Sequence, residues 1–244
     1  MSYSETKPHP ALSPFIDAYW IAEGRGNLIH QESILPDGCV DIILNLKADC
    51  RLEDGSISMK SETAYLIGTM TRSGSSNLGP ETRLLGIRFK PASFSVFYKF
   101  SSLHEVTDRN VEFEKGLSPN VYQAMKYGDN YLNRFFLSKL SPPRHMLMPV
   151  IADIQLNKGQ IKVAAIAKRH FTTVKQLERH FKFQIGTSPK EFINLIRYQS
   201  AFEHIRNNTT NSTLLQIALE HGYYDHAHLT NEIKKYTGLT PSSL

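Results

Sequence analysis

Phe181-Lys182-Phe183-Gln184-Ile185-Gly186-Thr187-Ser188-Pro189 returns 52 residues later as Ile233-Lys234-Lys235-Tyr236-Thr237-Gly238-Leu239-Thr240-Pro241. In each copy an apolar residue and a lysine lead to a glycine, and a Ser-Pro or Thr-Pro follows. Glycine accepts the left-handed conformation that stops a helix, and proline fits the first turn of the next. Upstream, Ile166-Ala167 recurs as Ile217-Ala218 at an offset of 51. The one-residue slip falls in the intervening turn, where a length change costs least. One structural unit is therefore used twice.

Each unit reads as helix, tight turn, helix, over about 162–186 and 213–238. Val163, Ile166 and Ala167 form an apolar stripe ending near His170-Phe171. Thr173 caps the following helix, with Gln176 completing a capping box. Leu177 and Phe181 face inward at i,i+4 spacing, leaving Lys175, Glu178, Arg179 and Lys182 outside. In the second unit Thr213 and Gln216 form a capping box for a helix that ends at Gly222. Asp225 caps the last helix, Leu229 and Ile233 point inward, and His226, His228, Thr230, Asn231 and Lys234 point outward. Between the units, Ser188, Pro189 and Glu191 open a longer helix. Its apolar face is Phe192, Leu195, Ile196, Phe202 and Ile205, and Asn207-Asn208 close it.

The charge is uneven in a way that fits this division. Residues 161–244 carry 11 Lys/Arg against 6 Asp/Glu, while residues 1–160 carry 17 of each, so the whole net charge of +5 sits in the last third. A basic segment joined to a neutral one points to an anionic partner for that segment alone. Composition fits a cored globular protein, with no apolar run that spans a membrane and no apolar secretory leader. The two cysteines, Cys39 and Cys50, form no ligand pattern. The expectation is reduced thiols in a cytoplasmic protein, with no metal and no cofactor.

The first 115 residues read as β-rich. Apolar stretches at Ile16–Ala22, Cys39–Leu46, Ala64–Met70 and Leu84–Phe89 are separated by turn-rich pieces at 23–27, 53–56 and 73–80. Asp54-Gly55 is a hairpin signal. Such strands suggest an antiparallel barrel or sandwich. A short helix is expected from Pro91 through Phe94, Phe97 and Tyr98, and a longer one from Pro119 to Leu140, stopped by Ser141-Pro142-Pro143. Met146–Leu156 reads as a helical connector. The expected division is 1–140, 141–160 and 161–244: an α+β chain, with a barrel-like domain ahead of an all-α double helix-turn-helix domain.

The last third resembles the DNA-binding domain of the AraC/XylS regulators. The carrying residues are Ile166-Ala167, Leu177, Phe181-Lys182, Gly186, Ser188-Pro189, Arg197 and Ala201. The second unit adds Ile217-Ala218, Gly222-Tyr223, Asp225, Lys234, Tyr236-Thr237-Gly238 and Thr240-Pro241. It departs from the family's pattern at Leu229 and Ile233, where aromatics are usual, and at Asn231, where arginine is usual. Leu35–Ile43 and Leu84–Pro91 resemble an uncharacterised N-terminal domain of some such regulators. That resemblance implies a sensor or dimerisation module, often cupin-like. Asp37, Asp41, Arg88, His30 and Trp20 are candidates to line its pocket, set against buried structural roles for each.

The function this implies is sequence-specific binding of double-stranded DNA. A recognition helix fits the major groove, where each base pair shows a distinct set of donors and acceptors. The expected base readers are Lys175, Glu178 and Arg179, with His226, His228 and Asn231 in the matching positions of the second helix. Arginine pairs bidentately with guanine and asparagine with adenine. Thr173, Lys182, Thr230 and Lys234 suit phosphates. His170, His180 and His221 suit packing or capping, and Arg197 a structural role. Expected partners are DNA, RNA polymerase, a small-molecule effector and a second copy of the chain. Two alternatives are a nonspecific DNA binder or adaptor, and an enzyme. Asp37, Asp41 and His30 have no catalytic spacing, so the enzyme reading is set aside.

Overall fold

The computed structural model describes residues 2–24, 30–52, 57–142, 147–208 and 212–243. The first half contributes β1 (Ser2–Thr6), β2 (Ile16–Glu23), β3 (His30–Ile34), β4 (Val40–Asn45), β5 (Cys50–Leu52), β6 (Ile57–Met59), β7 (Ala64–Ile67), β8 (Gly74–Leu78), β9 (Arg83–Phe89) and β10 (Asn110–Glu112). They form a six-stranded sheet ordered β1-β2-β9-β4-β7-β10 and a four-stranded sheet ordered β3-β8-β5-β6.

Both faces of the larger sheet are covered, which is why its central strands read as unbroken apolar runs. Val40, Ile42 and Leu44 of β4, with Leu85, Ile87 and Phe89 of β9, join one core. It is closed by the 3-10 turn Phe94–Val96 and by helix α1 (Val121–Lys139), through contacts such as Phe89–Phe136 at 5.5 Å between ring centroids. Strand periodicity turns the intervening residues to the opposite face. There Trp20, Ala22, Ile43, Tyr65, Leu78 and Leu84 make a second cluster between the sheets.

The β-rich half is thus the expected β-rich domain, and of the barrel or sandwich alternatives it takes the form of two open sheets without closure. With α1 layered on one face of the larger sheet and the smaller sheet facing the other, both faces are buried without closure. Residues 74–78, within the stretch read as a turn, form β8, because pairing with β3 and β5 overrides the turn preference of its serines. Pro91 starts no helix; the short 3-10 turn begins after Ser93. Helix α1 is interrupted at Gly128, with φ 51° and ψ −137°. Asp54-Gly55 lies outside the described residues, although the flanking strands β5 and β6 pair antiparallel. Arg25–Asn27, Pro143 and Met146 lie outside them too.

The second half is helical: α2 (Leu147–Leu156), α3 (Val163–Arg169), α4 (Val174–Gln184), α5 (Pro189–Arg206), α6 (Leu214–Glu220) and α7 (His226–Thr237). The capping boxes Thr173/Gln176, Ser188/Glu191 and Thr213/Gln216 all form. Asp225 accepts the His228 backbone N–H at 2.7 Å. Ile166, Leu177, Phe181, Phe192 and Ile196 build the first unit's core together with Leu147, Val150, Ile151 and Ile154 of α2. Ile217, Tyr223, Leu229, Ile233 and Tyr236 build the second unit's core against Leu195 and Tyr198 of α5. Helix α5 therefore presents one face to each core. Among the described residues no helix is long and apolar enough to cross a membrane.

Candidate nucleic-acid interface and the cavity behind it

Burying Leu177 and Phe181 fixes the rotation of α4, and Lys175, Glu178, Arg179 and Lys182 are exposed on it. The Thr173 hydroxyl is occupied locally: it accepts the Gln176 N–H and sits 3.2 Å from Gln176 Oε1. On α7, burial of Leu229 and Ile233 leaves His226, His228, Asn231 and Lys234 exposed. Thr230 is half-buried and its hydroxyl donates to the His226 carbonyl at 2.8 Å.

Counting from the caps Thr173 and Asp225 sets the register between the two helices. Asn231 stands where Arg179 does, Thr230 where Glu178 does and Lys234 where Lys182 does. His226 and His228 instead match Val174 and Gln176, and Ala227 matches Lys175. The two histidines therefore occupy the first helical turn, and the expected match to the Lys175 and Glu178 positions is corrected. His228 also packs edge-on against the Tyr223 ring, with centroids 5.1 Å apart.

The remaining polar groups tie the helices together. Arg197 of α5 lies 4.7 Å from the Tyr223 ring centroid. Asp153 of α2 binds Arg169 at 2.5 Å and the His170 ring at 3.0 Å, holding the end of α3. His180 is half-buried. His221 is buried at the C-cap of α6, its Nε2 3.0 Å from Nδ1 of His204, and burial lowers its pKa below the usual histidine value. Among the described residues, His204, Glu220 and His221 are the group whose donor atoms could converge on a metal, lying within 4.8 Å of one another. Since the imidazoles already share a hydrogen bond and Glu220 is exposed, the arrangement serves to pin α5 to α6.

The β-rich half grips the C-terminal end of α4. Ser102 Oγ donates to the Lys182 carbonyl at 3.3 Å, and Thr69 Oγ1 to the Ile185 carbonyl at 2.5 Å. His104 Nδ1 and Thr107 Oγ1 reach the Gly186 carbonyl at 2.8 and 2.9 Å. These are carbonyls that a helix end leaves without intrahelical partners. The Phe100 ring stacks on Phe183 at 5.6 Å. Gly186 makes this approach possible: its φ is +96°, and a Cβ there would stand 2.5 Å from Thr107 Oγ1. A second contact falls on α5, where Gln199 Nε2 donates to the Pro36 carbonyl at 3.0 Å and Gly38 packs on the Phe192 ring.

A cavity of about 400 Å³ lies between the two sheets. Its apolar lining includes Ala22, Ile43, Ile67, Leu78 and Leu84. Its polar end is made by Asp37, Asp41 and Arg88, under the Trp20 and Tyr3 rings. Pairing of Asp41 with Arg88 across β4 and β9 puts both on the cavity face. The Trp20 indole lies over Gly86, where a Cβ would clash at 1.8 Å, and its Nε1 donates to Asp41 Oδ2 at 2.8 Å. Trp20, Asp37, Asp41 and Arg88 are thus brought together as candidate pocket residues; the His30 side chain lies outside the described residues. Tyr3 and the serines of β8 are lining residues that sequence reasoning missed. The alternation of Ser76 and Leu78 was the signal available.

Comparison with known proteins agrees with this architecture. Residues 166–244 match the model of a helix-turn-helix domain, and residues 4–112 match that of a domain of unknown function, DUF6597. No match was found among curated protein sequences. A 1.65 Å structure of ToxT from Vibrio cholerae is 14% identical, covers 92% of this chain and 97% of ToxT, and superposes with a TM-score of 0.53. A structure of ToxT bound to an unsaturated fatty acid is 14% identical, with 92% and 94% covered and a TM-score of 0.50. At such identity the likeness is one of fold: a β-rich half followed by a helical half. Its last third is thus a helix-turn-helix domain built of two repeated units, carried on a chain with the overall fold of ToxT.

Proposed function

We propose that the chain is a sequence-specific regulator that reads double-stranded DNA with α4 and α7, under the control of a small molecule held by the β-rich half. Lys175, Glu178 and Arg179 are the base-reading set of the first unit, and Asn231 leads the second, with His226 and His228 beside it. Lys182 and Lys234 are placed for phosphates. Thr173 and Thr230 contribute through backbone and cap geometry rather than free hydroxyls.

One observation carries the control mechanism: the segments lining the cavity are those that hold the helical half. Asp37 and Cys39 line it, while Pro36 and Gly38 between and beside them touch α5. Ile67, Gly68 and Met70 line it, and Thr69 among them bonds the end of α4. A ligand that shifts either segment alters how α4 and α5 are held. Such coupling is a difference in affinity between two arrangements of the halves. The fatty-acid-bound ToxT structure, on the same fold, supports a small-molecule ligand for this chain.

Within this reading the regulator comprises residues 1–140, a connector at 141–160 and a DNA-binding part at 161–244, with RNA polymerase and a second copy of the chain as partners. The test is selection of bound sequences from random duplexes by the full chain. The expected result is an enriched site bound at least about 10³-fold tighter than random DNA at one salt concentration. Equal binding to all duplexes, with one steep salt dependence, identifies a nonspecific binder and overturns the proposal.

A further inference from the structure

The polar end of the cavity is short of positive charge. Arg88 faces Glu5 at 3.0 Å, Asp37 at 3.4 Å and Asp41 at 3.8 Å, so one guanidinium serves three carboxylates. Its Nη1 is already held by Glu5, and its Nη2 lies 3.3 Å from the Tyr3 hydroxyl. The other cation lining the cavity, Arg72, is exposed. Burial and the neighbouring Asp37 push Asp41 up to about 7, as expected of a carboxylate without enough counter-charge. Above this end, Trp20 and Tyr3 stack with centroids 6.1 Å apart and bring aromatic rings, the kind of group that attracts cations, to the lining. The rest of the lining mixes apolar side chains such as Ile43, Leu78 and Leu84 with the polar Ser75, Ser76, Asp108 and Asn110.

We infer that the cavity takes an amphipathic organic cation: an amine whose charge sits between Asp37 and Asp41 and whose apolar body lies against Ile43, Leu78 and Leu84. The inference rests on the reading of the cavity as the effector site. An anionic head group would meet the Asp37 and Asp41 carboxylates beside a guanidinium whose Nη1 is held by Glu5 and Nη2 by Tyr3. A neutral alcohol would leave the charge deficit in place. An ammonium supplies the missing counter-charge, and its N–H groups match the carboxylate oxygens, of which those of Asp41 are largely removed from water, where such pairs are strongest.

The probes are hexylamine, hexanol and hexanoate, each added at the same concentration and pH to the full chain, with thermal melting as readout. Hexylamine is expected to raise Tm by about 2–4 °C at saturation, and the other two by much less. Asp41→Asn and Asp37→Asn should each keep a cooperative melt and lose the preference for the amine. Ala22→Trp, which fills the cavity, should abolish the shift. A larger shift with hexanoate or hexanol overturns the ligand class and leaves the cavity as an effector site. An amine shift that survives Ala22→Trp, or no shift with any probe, overturns both the ligand class and the effector-site reading.

Discussion

The two helix-turn-helix units share caps, inward residues and glycine stops, yet they are held differently. The end of α4 gives up the carbonyls of Lys182, Ile185 and Gly186 to side chains of the β-rich half. Helix α7 ends on Gly238 in an open left-handed turn, where an added Cβ would meet nothing within 4 Å. Repetition of sequence therefore does not mean repetition of role. The first unit has the arginine and the contact with the β-rich half; the second has Asn231 and a self-contained end.

The glycines offer the strongest way to break this comparison. Gly186→Ala pushes a methyl into Thr107 and strains a φ of +96°, whereas Gly238→Ala meets only the strain of a φ of +74°. The first should cost about 2–3 kcal/mol of stability and the second about 1 kcal/mol. Chemical denaturation of both variants measures the gap. Equal losses would mean the grip on α4 contributes nothing.

Protonation should separate the two halves by sign. Asp41 is raised to about 7, surrounded by Asp37, Arg88, Trp20, Cys39 and Asp17, with Glu5 and Tyr3 behind Arg88. Its contribution is fullest below the usual aspartate range and is lost as pH rises through about 7. Going from pH 6 to pH 8 should therefore cost on the order of 1 kcal/mol, and Asp41→Asn should flatten that slope. His221 acts oppositely. Its lowered pKa means its contribution is full above the ordinary histidine range and is lost as pH falls below it. His221→Gln should weaken the acid-side loss. Denaturation midpoints across pH check both; an Asp41→Asn profile parallel to wild type from pH 6 to 8 would remove Asp41 as a strained carboxylate.

A smaller effect sharpens the comparison at the turns. Phe171 stands at the place Gly222 takes in the second unit, and both have positive φ, +50° and +71°. Phe171 is 99% exposed, so Phe171→Gly loses no packing. It should gain about 0.5–1 kcal/mol by relieving a left-handed non-glycine residue, read as a rise in Tm. A fall in Tm would show that the exposed ring makes a contact in solution.

The helical half was legible because its determinants are local. A capping box spans four residues, and Leu177 with Phe181 fixes a face within one turn. The register of His226 and His228 was misjudged because outward-facing residues were matched by exposure instead of by distance from the cap. In the β-rich half the apolar central strands were legible. The polar β1, β3 and β8 were not, since serines and charges become strand only when a neighbour supplies the ladder. The charged end of the cavity was beyond a sequence pattern: Asp41 meets Arg88 through the pairing of β4 with β9, and Trp20 reaches Asp41 only because Gly86 has no side chain. Four of its residues could be nominated, but not their convergence.

The claim that α4 carries the sequence reading is tested most directly by Arg179→Ala in the full chain, titrated on the selected duplex and on its single-base variants. The account predicts a loss of about 1–3 kcal/mol on the selected site, with discrimination relaxed at one base pair and binding to random DNA little changed. The same loss on every duplex, random DNA included, would contradict it.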